Sequence, residues 1–297
     1  AWALLLGAVL SFVLVVLYPT ASIHQGPPLG GSWLGSFGHK NRLGRMMALA
    51  VVIFVLFLSE EGGKSRWFNW AGLLMCGFML GMAQSRTAWV TTVVLLMFIP
   101  MLRFLRGGRV PMSLRVGSLL ILGFAIVMAV TQFLVIGLEA MGRDLTFTGR
   151  TTIWGYAIIA GMDHSMLGAG YRAFWTPEGA SYVYARIWAV IGNGHNGYLD
   201  VWLELGFVGL GLFLVMFFTG MGRAYRRLLS SHDTAGLFYM LVMIYALIYS
   251  FTEKFLLEQS ELTWVLMMIT LIYLTPRRVA AVNRSAVPVQ AYPAPGE

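Results

Sequence analysis

The chain carries very little charge for its length. Charged residues make up 11% of its 297 residues, whereas a soluble globular domain carries about 25%. Hydrophobic residues reach 58% and occur in repeated long runs. The deficit in charge excludes an ordinary soluble domain. Together with the runs, it indicates an all-α protein, a polytopic bundle of transmembrane helices.

Cysteine is almost absent as well. Cys76 is the single cysteine, so the chain forms no intrachain disulfide and its compartment cannot be read from cysteine usage. No pair among the five histidines has the spacing of a zinc site, and no metal is expected. The net charge of +8 comes from basic residues scattered between apolar runs. This scatter argues against nucleic acid as a partner.

Eight apolar runs are predicted to cross the membrane. They are residues 1–18, 44–59, 67–84, 88–102, 116–138, 198–220, 236–252 and 261–275. Residues 139–197 form a long loop. Its stretch 151–162 predicts a short helix along the interface, with Trp154 and Tyr156 at headgroup level. The membrane domain therefore covers 1–284, and residues 285–297 are predicted to be a disordered cytoplasmic tail.

Lysine and arginine in alternate short loops set the predicted orientation. Those loops and both ends of the chain are assigned to the cytoplasm, which puts 139–197 on the outer face. The outer face then carries many cations. Long loops are translocated regardless of charge, but Lys40, Arg42 and Arg86 lie in short segments. An excess of cations there favours an anionic ligand.

His195 is the best candidate for chemistry. Its ring exchanges a proton near neutral pH, as a general base requires. It precedes the run 198–220, and a helix N-terminus at that point would help to keep the ring neutral. The alternative is that His195 and Asn196 merely cap the helix.

Asp200 and Glu204 are four residues apart and share one face of the same predicted helix. We interpret them as structural partners of loop arginines. The alternative is that one of them orients His195 or an acceptor hydroxyl. The five-residue step from His195 to Asp200 does not imply a His–Asp dyad, because it places the two on different faces of a continuous helix.

Three cations on the predicted outer face are suited to bind phosphate. Arg150 lies in a polar break before the interfacial helix, where its guanidinium and backbone N–H groups can meet phosphate oxygens. Arg86 lies in a tight turn between two spans, and Lys40 precedes the second span. Contact with lipid headgroups is the alternative for Arg86 and for Lys40.

Five motifs together resemble the bacterial O-antigen ligase and polysaccharide polymerase superfamily. His195-Asn196, separated by nine residues from Gly206, which is in turn separated by two residues from Gly209, is similar to the histidine motif of that superfamily. The run HNGYLDVWLELG resembles its exopolysaccharide polymerase branch. The other four motifs are GSFGHKN (35–41), SRTAW (85–89), TGRTTIW (148–154) and LGAGYRAFW (167–175).

The resemblance implies a bacterial inner-membrane glycosyltransferase that works on the periplasmic face without a metal, a nucleotide sugar or another cofactor. Such enzymes pass a glycan from undecaprenyl pyrophosphate to a hydroxyl of another glycan or of lipid A–core. By position, His195 would activate the acceptor hydroxyl. Arg150 and Arg86 would hold the pyrophosphate, and Lys40 is a further candidate for the same role. Asn196, Asp200, Glu204 and Arg172 would support the site. Membrane lipids, chain-length regulators and export proteins are further expected partners.

Two departures from the superfamily remain. Its members have more helices than the eight predicted here, so further N-terminal helices are expected. Tyr171-Arg172 replaces an expected small or aromatic pair, which leaves the role of Arg172 open. A polymerase is favoured over a ligase only by the motif HNGYLD (195–200), which resembles the exopolysaccharide polymerase branch. A transporter or flippase is the alternative from another class, although no internal repeat supports it. A non-catalytic scaffold of an export complex is a third possibility.

Overall fold

The computed structural model of the chain describes residues 1–27, 29–59, 66–106, 150–230 and 233–275, together with residues 111, 113, 116, 117 and 123. No β-strand occurs in these ranges. The α-helices in these ranges are α1 Trp2–Leu17, α2 Pro19–Ser22, α3 Lys40–Leu58, α4 Arg66–Met82, α5 Arg86–Arg106, α6 Arg150–Gly161, α7 Ser181–Ile187, α8 Gly197–Ser230, α9 Thr234–Tyr249 and α10 Leu262–Tyr273.

The predicted all-α membrane architecture is confirmed. Helices α3, α5 and α8 are long and apolar enough to cross a membrane, and α1, α9 and α10 are shorter apolar helices. A helix coincides with each predicted span except 116–138. Only residues 116, 117 and 123 of that span are among the described residues. The rest of the span, residues 139–149 and the tail 285–297 lie outside them. The helix predicted for 151–162 is α6.

Helix α3 is the centre of the bundle. It packs against α4 and α5, and its residues from Leu43 to Phe54 are buried without interruption. A helix that is apolar on every side needs neighbours on every side. Gly72 of α4 permits one close approach, since a Cβ there would lie 2.4 Å from the Phe54 ring. The N-terminus of α3 is thereby held in the middle of one end of the bundle.

Helix α8 is broken at Gly206. The backbone there has φ 66° and ψ −171°, a region that only glycine occupies readily. A loop fills the break. The Phe207 amide donates to the Ser165 carbonyl at 2.8 Å, and the Ala169 amide donates to the Leu203 carbonyl at 2.9 Å. The loop therefore satisfies backbone groups that the break leaves without helical partners.

Basic residues assigned to the cytoplasmic side meet at one end of the bundle. Arg227 near the end of α8 forms a salt bridge of 2.5 Å with Asp233, and Arg106 at the end of α5 donates to the Asp233 carbonyl. Helix α5 has 21 residues, a length of about 30 Å. Its first residue, Arg86, therefore lies at the opposite end, as the predicted orientation requires.

A candidate active site at the helix N-termini

Each cation predicted to bind pyrophosphate is the first residue of a helix. Lys40 begins α3, Arg86 begins α5 and Arg150 begins α6. His195 lies two residues before Gly197, the first residue of α8. Helix N-termini present free N–H groups and the positive end of the helix dipole, and both favour an anion. At Lys40, Arg86 and Arg150, the sequence thus combines side-chain charge with the positive end of a helix.

The Glu253 carboxylate joins three of these helix starts. Glu253 is buried in the loop between α9 and α10. Its Oε1 accepts from Asn41 Nδ2 at 2.8 Å and from Arg150 Nη2 at 3.3 Å. Its Oε2 lies 3.5 Å from His195 Nδ1. His195 and Arg150 are far apart in the sequence, and the structure brings them onto one carboxylate.

The surroundings of Glu253 keep it ionised. Burial alone would raise the pKa of its carboxyl group. The interaction with the His195 ring and the charge of Arg150 outweigh burial, so that the pKa lies below the ordinary value of 4.5. Arg150 is fixed a second time, since its Nη1 donates to the Thr252 carbonyl at 2.6 Å. A negative carboxylate facing Nδ1 favours a proton on that nitrogen and leaves Nε2 as the acceptor.

Lys40 and Arg86 join the site through their neighbours. Lys40 Nζ donates to the Gln84 carbonyl at 3.4 Å, and Ser85 Oγ donates to Asn41 Oδ1 at 3.3 Å. The starts of α3 and α5 are therefore adjacent, and Asn41 connects both to Glu253. The structure brings His195 and Arg150 together directly, whereas it links Lys40 and Arg86 to them through these intermediate contacts.

The residue that caps α8 is Asn196. Its Oδ1 accepts from the amides of Tyr198 at 3.1 Å and Leu199 at 3.2 Å. The His195 backbone has φ 51°, a left-handed conformation that is uncommon outside glycine, and its amide donates to Asn193 Oδ1 at 2.9 Å. Because Asn196 does the capping, the His195 ring is available for another role.

Gly194 is held from both sides. Its carbonyl accepts from Trp154 Nε1 at 2.6 Å, and its amide donates to Asp200 Oδ1 at 3.0 Å. The same Asp200 oxygen accepts from Trp175 Nε1 at 2.7 Å. Asp200 therefore fixes the loop beside His195. This corresponds to the alternative in which an acidic residue of α8 orients His195, and it acts through the backbone.

Glu204 belongs to a separate ionic network. Its Oε1 lies 2.7 Å from Lys254 Nζ, and its Oε2 accepts from the Arg172 amide at 3.0 Å. The Arg172 side chain pairs with Glu258 at 2.5 Å. Burial would lower the pKa of Lys254, but the charges of Asp200 and Glu204 outweigh it and raise that pKa. Glu204 is thus a structural ion-pair partner, with a lysine side chain in place of the arginine predicted.

Acidic residues of the short segment 253–261 balance several outer cations. Besides the pairs above, Glu261 binds Arg42 at 3.2 Å and also contacts Arg45. This segment was not among the predicted site residues. The sequence nevertheless carries a signal for it, because Glu253, Glu258 and Glu261 lie where two apolar runs meet, and charged side chains at a membrane are costly unless they have partners.

Trp154 and Tyr156 of α6 make intramolecular contacts. Trp154 bonds to Gly194, and the Tyr156 ring packs edge to face against Tyr182 at 6.4 Å between centroids. The Arg186 guanidinium lies 3.4 Å from the centre of the Tyr182 ring. Helix α6 therefore serves as a support for the His195 loop and for α7.

Comparison with known proteins agrees with these motifs. A protein-family model described as O-antigen ligase (Wzy_C) matches residues 70–214. The match includes Arg86, Arg150, Arg172 and the His195 motif, whereas Lys40 and Glu253 lie outside it.

One curated relative is the "Exopolysaccharide production protein ExoQ" of Rhizobium meliloti (strain 1021). It is 29% identical over 240 residues, which is 75% of this chain and 54% of that protein. The chain thus spans about half the length of this curated relative. Both comparisons support the resemblance to this superfamily.

Proposed function

We propose that this chain belongs to the O-antigen ligase and polysaccharide polymerase superfamily and forms the active site of a polysaccharide polymerase. The site lies on the periplasmic face of a bacterial inner membrane. The donor is a glycan on undecaprenyl pyrophosphate, and the acceptor is a sugar hydroxyl of another glycan. The observation that carries the proposal is the meeting of His195 and Arg150 on Glu253, with the N-termini of four helices around them.

The reaction needs a base and an anion-binding site, and this chain offers candidates for both. His195 Nε2 takes the proton of the acceptor hydroxyl as the oxygen attacks the anomeric carbon. The bond from that carbon to the pyrophosphate oxygen breaks, and its electron pair leaves with undecaprenyl pyrophosphate. Arg150 and Arg86 stabilise the charge that develops on the leaving group, and Lys40 adds to the same field.

Glu253 is a positioning residue in this scheme. It turns the His195 ring so that Nε2 faces the acceptor, and its charge stabilises the imidazolium that forms. It also pairs with the Arg150 guanidinium, with 3.3 Å between Oε1 and Nη2. An incoming pyrophosphate shares Arg150 with Glu253 or takes the place of Glu253. Arg150 then passes from a structural contact to a substrate contact and keeps an anionic partner in its partly buried position.

A ligase that transfers the glycan to lipid A–core would use the same chemistry. The polymerase is preferred because the matched relative is named for exopolysaccharide production, which agrees with the HNGYLD wording. Chain-length regulators and export proteins are proposed partners. A transporter or flippase is disfavoured by position, because the charged groups of the site gather at one end of the helices and do not line a path through the bundle.

Purified protein in lipid vesicles tests the proposal. The measured quantities are undecaprenyl pyrophosphate released from a lipid-linked donor and the length of the glycan products. Replacement of His195 by alanine is expected to slow release by about 10²–10⁴-fold, the usual contribution of a general base. Products that grow by whole repeats indicate a polymerase, and transfer only to added lipid A–core indicates a ligase.

His164→Ala provides the matched control, because His164 is an exposed histidine of the same outer segment that lies outside the site. It is expected to keep full activity. Unchanged glycan transfer by the folded His195→Ala protein would rule out His195 as the base and leave a transporter or a scaffold as the better interpretation.

A further inference from the structure

The turn between α6 and the rest of the outer segment exposes a compact apolar surface. Met162, Met166 and Leu167 are 61%, 64% and 74% exposed, and we refer to residues 162–167 as the Met162–Leu167 turn. No described residue covers these side chains. Three large apolar side chains exposed on one turn indicate contact with an apolar partner.

The turn is fixed to α8 at a defined height. The Ser165 carbonyl accepts from the Phe207 amide at 2.8 Å, and the Met166 carbonyl accepts from the Val208 amide at 3.2 Å. A Cβ on Gly206 would lie 2.2 Å from the Met166 carbonyl carbon and oxygen. The turn therefore sits directly against the break in α8, at the level of Phe207.

That level lies within the expected thickness of the bilayer. Arg223 is the first basic residue after the apolar part of α8, and 16 residues separate it from Phe207. These residues span about 24 Å along the helix, whereas the hydrocarbon core is about 30 Å thick. If Arg223 marks one edge of the core, Phe207 lies a few ångströms inside the other edge. A tilted helix would place Phe207 deeper still.

The exposed surface of α8 continues the surface of the turn. Its exposed side chains form a stripe below Gly206 that consists of Phe207, Val208, Leu212, Val215 and Phe218. Among the described residues, none covers this stripe, and an apolar face of a membrane-spanning helix that no other helix covers faces lipid. Because Met166 is bonded beside Val208, the turn extends the stripe upward without an interruption.

Part of the backbone of the turn meets the main requirement for lipid contact. Non-helical backbone at membrane depth needs internal partners for its N–H and C=O groups. The Ser165 amide donates to Met162 at 3.3 Å, and the Gly168 amide donates to His164 at 2.7 Å. Together with the bonds to Phe207 and Val208, these contacts satisfy polar groups that lipid would otherwise leave unpaired.

The turn also has a polar side. Asp163 and His164 are exposed in the same turn and are suited to the headgroup layer. Segments with one polar and one apolar side lie in the interface with the apolar side about 5–10 Å deep. This depth agrees with the height of Phe207.

We infer that the Met162–Leu167 turn inserts Met162, Met166 and Leu167 into the hydrocarbon edge of the leaflet at the His195 end of the molecule. The partner is the acyl chains of membrane lipid. The insertion anchors the outer segment to the bilayer at the break in α8, next to the network of Glu204 that supports the site. This inference does not depend on the proposed reaction.

Thiol labelling of the full chain in lipid nanodiscs tests the inference. Single cysteines replace Met166, Leu167, Asp163 or Glu178, and Cys76 is retained because it is buried. A charged, water-soluble maleimide is applied. Met166→Cys and Leu167→Cys are expected to react roughly tenfold or more slowly than the other two, because the reactive thiolate does not form in hydrocarbon.

Asp163→Cys is the matched control, since it lies on the polar side of the same turn. Equal labelling of all four variants in sodium dodecyl sulfate confirms that each thiol is present and reactive. A second measurement attaches a nitroxide at Met166→Cys, where collisions with oxygen are expected to exceed those with a polar nickel chelate. Rapid maleimide labelling at positions 166 and 167, equal to that at 163, would place the turn in water and overturn the inference.

Discussion

The Glu253 carboxylate shows how much one buried side chain organises in this protein. It accepts from Asn41 and Arg150 and lies beside His195, so it fixes the starts of α3, α6 and α8 relative to one another. A buried carboxylate is stable only when its charge is compensated. Here the compensation comes from the groups that the reaction needs, and the ionised state of Glu253 is linked to the geometry of the site.

Glu253→Gln separates positioning from charge. Glutamine retains an oxygen for Asn41 and Arg150 but removes the negative charge that stabilises the protonated His195. We expect kcat to fall by less than the loss of the general base itself, which contributes about 10²–10⁴-fold, while KM for the lipid-linked donor stays the same or falls because Arg150 loses its competing carboxylate. Steady-state kinetics of undecaprenyl pyrophosphate release measure both constants.

The pH dependence of kcat distinguishes this role from a structural one. In the Glu253→Gln protein, the pH profile of kcat should differ from that of the wild type, because the charged group that faces the His195 ring has been removed. A loss of folded protein without any shift of that profile would contradict the positioning role. Glu178→Gln, a change at an exposed outer carboxylate, is the control and should alter neither constant.

Acid stability follows from the lowered pKa of Glu253. A carboxyl group whose pKa is lower in the folded state contributes stability above its ordinary value of 4.5 and loses that contribution as the pH falls through the lowered value. The wild-type protein should therefore be more stable than Glu253→Gln at about pH 7, and the difference should shrink below about pH 4.5. Thermal unfolding of both proteins in detergent across that range measures the difference. A constant difference at every pH would show that ionisation of Glu253 does not contribute.

His195 and Arg150 stand out in the sequence as candidates because a histidine and an arginine beside apolar runs are costly and need a reason to be there. The partnership with Glu253 could not be predicted, since it joins segments 58 residues apart or more and depends on how helices pack. Asn196 shows the same limit. From the sequence, His195 and Asn196 were both candidates to cap α8, and the hydrogen bonds in the structure assign the cap to Asn196.

At the scale of elements, the break in α8 couples the membrane helix to the outer segment. Gly206 adopts a conformation that only glycine tolerates, and the loop 165–170 supplies bonds to the backbone on both sides of it. The short first part of α8 carries Asp200 and Glu204, which hold the His195 loop and Lys254. The break thus sets the position of the part of α8 that supports the site.

Gly206→Ala is expected to destabilise the protein. The strained backbone costs about 1–3 kcal/mol in a residue with a Cβ, and the new methyl group would also overlap the Met166 carbonyl, which lies 2.2 Å from the Cβ position. Thermal unfolding and glycan transfer should both decrease. Gly211→Ala in the same helix is the matched control. Nothing lies within 4 Å of its Cβ position, and it should be neutral or stabilising by up to about 1 kcal/mol.

If both variants unfold at the wild-type temperature, the loop does not depend on the break. The apolar run 198–220 predicts a continuous helix, and in the sequence Gly206 stands out only as a part of the histidine motif. Hydrophobic periodicity indicates where a helix runs, but it does not show where another segment replaces the helical hydrogen bonds. The existence of α8 was therefore predictable, whereas its break was not.

Across the whole molecule, alternation of the spans brings helix starts to one end. Once α3, α5 and α8 cross in the predicted directions, Lys40, Arg86 and the His195 loop must lie at the same end of the bundle. Apolar runs and loop charges alone were therefore enough to predict that these residues lie at one end of the bundle. The predicted excess of cations at that end is smaller in the structure, because glutamates of 253–261 bind several of them. The sequence gives no spatial pairing, and only the packed helices show which charges compensate one another.

Convergent helix N-termini should make the site responsive to anions and to salt. Inorganic pyrophosphate is expected to inhibit competitively with the lipid-linked donor, because it resembles the leaving group and meets both arginine and helix-terminal N–H groups. Rising ionic strength should weaken this inhibition by a few-fold, since the field of helix ends at a water-exposed site is screened. Initial rates at several pyrophosphate and salt concentrations measure the effect.

Arg150→Gln shows whether the effect belongs to the site. Loss of one charge-assisted contact of about 1.5–3 kcal/mol should raise the inhibition constant by about tenfold or more, and it should also reduce the salt dependence. Arg227→Gln, at the opposite end of the bundle beside Asp233, is the matched control and should leave the inhibition constant unchanged. Equal weakening by both substitutions would mean that pyrophosphate responds to the total charge of the protein. Weakening by Arg150→Gln alone would mean that it binds where the helices begin.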